Sequence, residues 1–326
     1  MNVIVTGGAG YIGSHVCKEL KKNNFNPIVI DNLSDGNKNF VKWGELKILN
    51  ILSFRKVDKI LKKYKPVGVI HLAGKISVAE SFKNPRKYYL NNLKGSNNIL
   101  ECMINNKIKK IIFSSSASVY GKVKNKKIKE SQQYKPISPY ARTKMLFEKN
   151  LKKHAKINNI DFVSLRYFNV AGNDKKNEIG EYHNPETHLI PLAIEAALKK
   201  KELKVYGNNY KTKDGTCIRD YIHVSDLARA HVLALKKILK VKSAKFINLG
   251  NGEGFSNLEI INKIEKILKL KINKRFVKKR RGDVDKLISD INQAKKYLKW
   301  YPKLSNLNTI LKTAIAWQKK LAQNID

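Results

Sequence analysis

Residues 6–13 read Thr-Gly-Gly-Ala-Gly-Tyr-Ile-Gly, between a strand-like run and an amphipathic helical stretch. The glycines follow the spacing G-x-x-G-x-x-G. After a strand and before a helix, Gly7 permits a tight turn, Gly10 lets the backbone approach a pyrophosphate, and Gly13 lets the helix pack on the strand. Free amides and the helix dipole favour an anion at this point. The stretch therefore predicts a dinucleotide site at the end of the first strand of an α/β sheet.

Strand-like and helical stretches alternate through the first half of the chain. β-branched runs predict strands at 3–6, 28–31, 46–49, 67–72, 110–115 and 162–166, with helices at 11–22, 54–63, 85–105 and 140–158. This alternation predicts an α/β fold, a Rossmann-type doubly wound parallel sheet. After residue 170 the regular alternation of strands and helices ends. There the sequence predicts a helix at 192–200, a strand at 244–249 and a helix at 257–268.

Two unequal parts are expected from this pattern. The first is a dinucleotide-binding Rossmann domain over residues 1–170, completed by a strand and a helix from the region around 215–250. The second is a smaller, mixed α/β C-terminal lobe over residues 171–326, which we expect to hold most of the substrate contacts. Ligands of open α/β sheets bind at the carboxyl ends of the strands, so the two parts should meet over one cleft.

Composition weighs against several classes of protein. The chain has 66 Lys and Arg against 26 Asp and Glu, a net charge of +40, but the lysines are spread along its whole length. That spread favours a solvated surface over a nucleic-acid-binding face, where arginines cluster with aromatic side chains. No apolar run approaches membrane length, and the N-terminus lacks signal-peptide features, so we expect a cytoplasmic protein. The three cysteines are far apart in sequence, and no metal is expected.

Asp31 ends the second predicted strand, 18 residues after Gly13. A carboxylate there accepts hydrogen bonds from the adenosine ribose and repels a 2′-phosphate, which predicts NAD and not NADP as the cofactor. The alternative is a carboxylate that only serves the turn, because Asn32 and Ser34 follow closely.

A tyrosine and a lysine share one face of a predicted helix, at Tyr140 and Lys144. A phenol titrates near pH 10, so it is a weak base at neutral pH unless a neighbouring ammonium favours the phenolate. Ser116 follows the preceding strand, where its hydroxyl would contact a substrate oxygen and share a proton with Tyr140. These three residues predict acid/base catalysis at a substrate hydroxyl group. The alternative is a serine-rich strand end beside an unrelated helix.

Together these residues resemble the extended short-chain dehydrogenase/reductase family, and within it the 4-epimerases of UDP-hexoses. Besides residues 6–13, the similar motifs lie at 31–33, 71–74, 88–92, 113–121, 138–144, 165–169, 214–224 and 280–283. The resemblance implies reversible 4-epimerisation of UDP-glucose and UDP-galactose. In that reaction Tyr140 takes the proton of O4 while C4 gives a hydride to bound NAD, and both are later returned. It also implies a homodimer.

The resemblance further implies which side chains hold each ligand. On the NAD side they are Gly7, Gly10, Tyr11, Ile12, Gly13, Asp31, Asn32, Asn50, Ile51, Leu72, Ala73, Gly74, Asn91, Ser114, Tyr140, Lys144 and Phe168. On the UDP-sugar side they are Ser116, Tyr140, Asn169, His188, Leu189, Tyr206, Arg219, Tyr221, Arg280, Asp283 and Leu287.

The chain departs from the resemblance at several positions. Ala117 and Ser118 replace the Asp-Glu pair with which related dehydratases expel water, so dehydration is not expected. Asn50 replaces an aspartate and His188 an asparagine. Leu287 stands where strictly hexose-specific relatives carry a tyrosine, so we expect some activity on UDP-N-acetylglucosamine.

Four alternatives remain open from the sequence. The substrate could be another UDP sugar, such as a pentose or a uronate. The chain could be an NAD-sensing protein without catalysis, or a nucleic-acid-binding protein, as its charge alone would suggest. Arg219 could form a salt bridge with Asp220 and not contact a ligand.

Overall fold

A seven-stranded parallel sheet lies at the centre of the computed structural model, which describes residues 1–123 and 127–323. The strands are β1 Asn2–Thr6, β2 Asn26–Asp31, β3 Glu45–Ile48, β4 Gly68–His71, β5 Lys110–Ser114, β6 Asp161–Tyr167, β7 Asn169–Ala171, β8 Leu203–Tyr206, β9 Ile218–Arg219, β10 Tyr221–His223, β11 Ala244–Leu249, β12 Phe255–Ser256, β13 Lys274–Val277 and β14 Lys286–Leu287. The central order is β11-β6-β5-β4-β1-β2-β3. The predicted doubly wound Rossmann sheet is confirmed.

Helices connect and cover these strands. They are α1 Tyr11–Lys22, α2 Phe54–Tyr64, α3 Val78–Lys83, α4 Pro85–Tyr88, α5 Gly95–Asn105, α6 Pro139–Ile157, α7 Leu189–Leu198, α8 Val224–Lys240, α9 Asn257–Leu268, α10 Asn292–Leu298 and α11 Leu307–Gln323. α1 and α8 pack on one face of the sheet, burying Val16 and Leu227, and α2, α5 and α6 pack on the other, burying Leu61 and Phe147. Complete burial of such a side chain contributes about 1.5–3 kcal/mol, so both faces help hold the sheet together.

The expected helix at 85–105 contains an unexpected turn. Residues Tyr89–Lys94 form a π-helix between α4 and α5. Its buried Asn92 accepts a hydrogen bond from Lys75 N at 2.8 Å and donates one to Lys75 O at 2.9 Å. The π turn therefore fixes the loop that follows β4. Helical periodicity alone does not reveal a π turn, because the apolar face continues through it.

α6 begins at a well-defined point. Ser138 is its N-cap, with Oγ accepting from Ala141 N at 3.1 Å, and Pro139 occupies the first position. Both residues favour helix initiation there. As a result Tyr140 lies in the first turn of α6, and Lys144 lies one turn further on.

The C-terminal half is built from shorter pieces. β8 pairs with β13, β7 with β10, and β9 lies between β12 and β14. α7, α9 and α11 enclose a separate apolar cluster that includes Ile194, Ile261 and Leu311. β11 and α8 return to the central sheet. No helix within the described ranges is long and apolar enough to span a membrane.

Candidate active site

A cavity of about 1220 Å³ lies between the carboxyl ends of the central strands and the C-terminal half. Every residue that the sequence predicts for catalysis, NAD or the UDP sugar lines it. The structure thus brings together side chains from residue 7 to residue 287. Their individual roles remain predictions, since shared position in one cavity does not assign a contact.

The glycine turn leaves space for an anion. Gly7 has φ +73°, and a Cβ there would lie 2.7 Å from Ala73 N. On Gly13 a Cβ would lie 2.1 Å from Gly7 O, which the packing of α1 on the turn forbids. A Cβ on Gly10 would lie 3.3 Å from Gly7 O, on the cavity wall at the start of α1. The turn therefore fits a pyrophosphate held against main-chain amides.

Asp31 serves the turn and also lines the cavity. Its carboxylate oxygens accept hydrogen bonds from Ala9 N at 3.1 Å and from Leu33 N at 2.8 Å. Burial raises the pKa of this carboxyl group, although the backbone hydrogen bonds oppose that effect. Asp31 therefore stabilises the turn, as the alternative predicts, and its contact with a ribose stays a prediction.

The Tyr140 hydroxyl lies close to the Ser116 side chain. Burial raises the pKa of Tyr140, and the neighbouring Ser116 hydroxyl lowers it, because a serine can donate to the phenolate. Ser116 Oγ itself accepts from Ser118 N at 3.2 Å and from Ser118 Oγ at 2.9 Å. These two donors leave the Ser116 proton free to point towards Tyr140.

Lys144 is buried beneath Tyr140. Its Nζ donates to Ser114 O at 2.8 Å and lies 5.9 Å from the centre of the Tyr140 ring. Burial lowers the pKa of Lys144 to about 8, while the carboxylate of Glu148 opposes that change. A cation this close favours the phenolate of Tyr140, so the three predicted catalytic residues are placed for proton transfer.

Two guanidinium groups, of Arg219 and Arg280, line the part of the cavity that the C-terminal half forms. Arg280 Cζ is 3.9 Å from the centre of the Tyr206 ring. Arg219 donates to Val284 O at 2.8 Å and lies 3.4 Å from Asp283 Oδ1. Guanidinium groups suit a diphosphate because their donors form paired, charge-assisted hydrogen bonds.

The alternative salt bridge between Arg219 and Asp220 is wrong. The Asp220 carboxylate accepts from Asn251 N at 2.7 Å, Gly252 N at 3.0 Å and Ser289 N at 3.0 Å. Consecutive side chains along extended backbone point in opposite directions, so Asp220 is directed away from the cavity that Arg219 lines.

The departures from the resemblance also lie on the cavity wall. Asn50 Oδ1 accepts from Leu52 N at 2.9 Å, which leaves its amide nitrogen available. Enclosure lowers the pKa of His188, but Glu181 Oε1, 2.5 Å from its Nδ1, dominates together with Glu186 and raises that pKa to about 9. Leu287 packs beside a buried cluster that contains Ala117 and Phe168.

Several cavity residues were not predicted from the sequence. Tyr167 lies on β6, with its hydroxyl against Ser114 Oγ. Glu181 and His183 lie on the loop before α7, beside His188. The spacing Glu-x-His-x-x-Glu-x-His over 181–188 was the available signal for this group.

A dinucleotide-sized cleft with a serine, a tyrosine and a lysine at its centre defines an enzyme that uses a nicotinamide cofactor on a hydroxyl group. A family model, "NAD dependent epimerase/dehydratase family", matches residues 3–250. The chain belongs to this family, and its cofactor is NAD.

Individual relatives agree over nearly the whole length. The chain is 42% identical to a UDP-glucose 4-epimerase of Rhizobium meliloti, covering 99% of this chain and 98% of that protein. The crystal structure of a UDP-glucose 4-epimerase from Brucella ovis in complex with NAD is 42% identical, with a TM-score of 0.93 and 97% of each chain covered. A UDP-Glc/GlcNAc 4-epimerase from Campylobacter jejuni is 35% identical, with a TM-score of 0.85, covering 98% of this chain and 99% of that one.

Proposed function

We propose that this chain catalyses the reversible 4-epimerisation of UDP-glucose and UDP-galactose by transient oxidation at C4. The observation that carries the proposal is one cavity that is lined at one end by the glycine turn, Ser116, Tyr140 and Lys144, and at the other by two arginines. The first end suits oxidation of a hydroxyl group, and the second suits a diphosphate. The relatives described above are named for this reaction.

The glycine turn and Asp31 would hold NAD, which when bound supplies the acceptor and later the donor of the C4 hydride. Tyr140 removes the O4 proton as a phenolate and returns it when the hydroxyl group is restored. Ser116 donates to the same oxygen and keeps it within reach of Tyr140. Lys144 lowers the energy of the phenolate through its charge, so Tyr140 can act as both base and acid near neutral pH.

The UDP group would be held at the arginine end. Arg219 and Arg280 are placed to bind the diphosphate, and Asp283 to accept from the uridine ribose. Asn169, His188 and Leu189 line the wall between the two ends, and Tyr206 and Tyr221 lie where a base or sugar ring can stack. Holding UDP tightly while the sugar stays free would let the 4-keto sugar turn over and present either face.

Activity on an N-acetylated sugar is a second part of the proposal. Leu287 lines the cavity close to Phe168, and a leucine leaves more room there than a tyrosine would. The Campylobacter jejuni relative is named for both UDP-glucose and its N-acetylated counterpart. We expect a slower reaction on UDP-N-acetylglucosamine than on UDP-galactose.

We also propose how the molecule is organised. Residues 1–170, with β11 and α8, would hold NAD, and most UDP-sugar contacts would come from 171–326. Two copies would pair through the helical stretches 85–105 and 140–158, which lie side by side in the structure, with Asn150 Nδ2 donating to Asn97 Oδ1 at 2.9 Å. Light scattering of the purified protein tests the dimer. The proposed location is the cytoplasm.

The decisive experiment is incubation of the purified protein with UDP-galactose and other UDP sugars, without added NAD. We expect product, which would show both the reaction and a retained cofactor. The variant Tyr140→Phe should retain NAD but lose at least about 10³-fold in turnover, because the acid/base is removed. Near-normal rates in that variant would contradict the mechanism.

A further inference from the structure

Two histidines and two glutamates meet at the edge of the cavity, in the loop before α7. Glu181, His183, Glu186 and His188 each offer one potential ligand atom, and these atoms lie within 4.8 Å of one another. His183 Nδ1 is 3.3 Å from Glu186 Oε2 and 3.7 Å from Glu181 Oε1. His188 Nδ1 is 2.5 Å from Glu181 Oε1 and 3.7 Å from Glu186 Oε1.

We propose that this His₂Glu₂ cluster is a binding site for a divalent transition metal of the zinc class. Zinc binds imidazole nitrogen and carboxylate oxygen at about 2.0–2.2 Å, usually with tetrahedral geometry. Ligand atoms of such a tetrahedron are about 3.3 Å apart. Within one set of ligand atoms, His183 Nδ1 lies 3.3 Å from Glu186 Oε2 and 3.7 Å from Glu181 Oε1, and His188 Nδ1 lies 2.5 Å from Glu181 Oε1, so these distances span that value. Metal binding releases the proton that His188 Nδ1 shares with Glu181 in the empty site, and the two neutral imidazoles and two carboxylates then balance a charge of +2.

The ligands are oriented before any metal arrives. Glu186 Oε1 accepts from Thr187 N at 2.7 Å and from His188 N at 2.8 Å, which leaves Oε2 directed at His183. Such outer hydrogen bonds to ligating carboxylates are typical of metal sites. Glu181 is buried, and its carbonyl oxygen accepts from Trp317 Nε1 at 2.8 Å.

Nitrogen ligands decide the class of metal. Calcium takes six to eight oxygen ligands, and magnesium prefers octahedral oxygen and retains several waters. A set with two imidazoles favours zinc, nickel or copper over both of them. The earlier expectation of no metal rested on the cysteines, which are buried elsewhere and do not contribute here.

The position of the cluster indicates a structural metal. The His183 ring packs edge-on against Tyr11, with centroids 6.4 Å apart, and Tyr11 begins α1 next to the glycine turn. A metal would therefore join the 181–188 loop into one rigid unit at the cavity wall beside the glycine turn. Coordination of His188 through Nδ1 leaves its other nitrogen protonated, so the site can be filled without removing a donor from the cavity.

The test is titration of the chelator-treated full-length protein with Zn²⁺ against a chromophoric chelator. We expect one tight equivalent, and Co²⁺ should give the intense visible absorption of a tetrahedral complex. His183→Ala and Glu186→Gln should each weaken zinc binding at least 100-fold and remove the cobalt band. His154→Ala is the matched control, because His154 lies on α6 and pairs with Asn158.

Retained NAD and unchanged circular dichroism would show that the variants are folded. The proposal is overturned if the wild type binds zinc no more tightly than His183→Ala, or if the cobalt complex stays octahedral. Neither readout depends on epimerisation, so failure of the metal site and failure of the proposed function can be told apart.

Discussion

The two ends of the cavity are built in different ways. At the end that we propose for NAD, called here the NAD end, neighbouring parallel strands finish side by side, with Thr6 in register with Ile30 and His71. At the end that we propose for UDP, called here the UDP end, the arginines come from the two-residue strand β9 and from the loop between β13 and β14. The first end depends on the backbone of a large sheet, and the second on side chains placed by short strands. Substitutions at the NAD end should therefore remove the cofactor, whereas those at the UDP end should weaken substrate binding in an intact holoenzyme.

The largest effect is expected from Gly13→Ala at the NAD end. The new Cβ would lie 2.1 Å from Gly7 O and 2.7 Å from Gly8 Cα, so the turn must open. We expect loss of bound NAD and at least about a 10³-fold loss of activity. Absorbance of NAD released from denatured protein measures the occupancy.

Gly10→Ala is the comparison variant, because its Cβ meets a single backbone atom at 3.3 Å. It should fold normally and retain part of the NAD. Full NAD occupancy in Gly13→Ala would contradict this expectation, because it would show that the backbone of the turn can shift to accommodate the Cβ.

The second-largest loss of activity is expected from Lys144→Met, because this change removes a charge but leaves the backbone in place. Burial raises the pKa of Tyr140, and without the ammonium group the phenolate becomes rarer at neutral pH. We expect a loss of about 10²–10³-fold at pH 7, with NAD still bound. The rate should then increase with pH, about tenfold per unit, as the remaining phenol ionises. A rate independent of pH between 7 and 9 would argue against this role for Lys144.

Arg280→Gln examines the UDP end. Loss of a charged hydrogen bond costs about 1.5–3 kcal/mol, which corresponds to a 10- to 150-fold rise in KM for the UDP sugar. NAD occupancy and kcat should change little. Arg281→Gln is the matched control, since Arg281 stacks 4.6 Å from the centre of the Phe82 ring and not on Tyr206. Loss of NAD from Arg280→Gln would contradict the separation of the two ends.

The smallest effect is expected from Leu287→Tyr. The larger ring should fill the space beside Phe168 and lower kcat/KM for UDP-N-acetylglucosamine relative to UDP-galactose by about 10-fold, the scale of one misfitting group in a pocket. Leu287→Met, which keeps the volume, should leave the ratio unchanged. Equal losses on both sugars in Leu287→Tyr would mean that this position does not select between them.

The same contrast explains what could be predicted from the sequence. The glycine turn and the Tyr140–Lys144 pair lie within single strand–turn–helix or helical stretches, where spacing fixes geometry. The two-residue strands β9, β12 and β14 have no periodicity of their own, because each forms only against residues distant in sequence. Residue types left an ion pair between Arg219 and its neighbour Asp220 open as an alternative, whereas strand alternation turns the two side chains apart.

The family resemblance predicted most of the residues that we propose to bind UDP. It did not predict two features of this chain, the Glu181–His188 cluster and the π turn. The Glu181–His188 cluster depends on a loop that folds back so that four side chains converge. The π turn at Tyr89–Lys94 interrupts a stretch that looks uniformly helical. Neither conformation leaves a repeating pattern in the sequence.

The last strand of the central sheet has a consequence for how the protein is made. β11 pairs with β6, yet the ribosome adds it some 75 residues after β6 is complete, and α8 immediately before it. Until residue 249 has emerged, a nascent chain leaves β6 as an open edge and the apolar side of α1 without its partner helix. Such exposed edges and faces are prone to association. We therefore expect a chain stalled or truncated near residue 170 to need chaperones and not to form an independent half-enzyme.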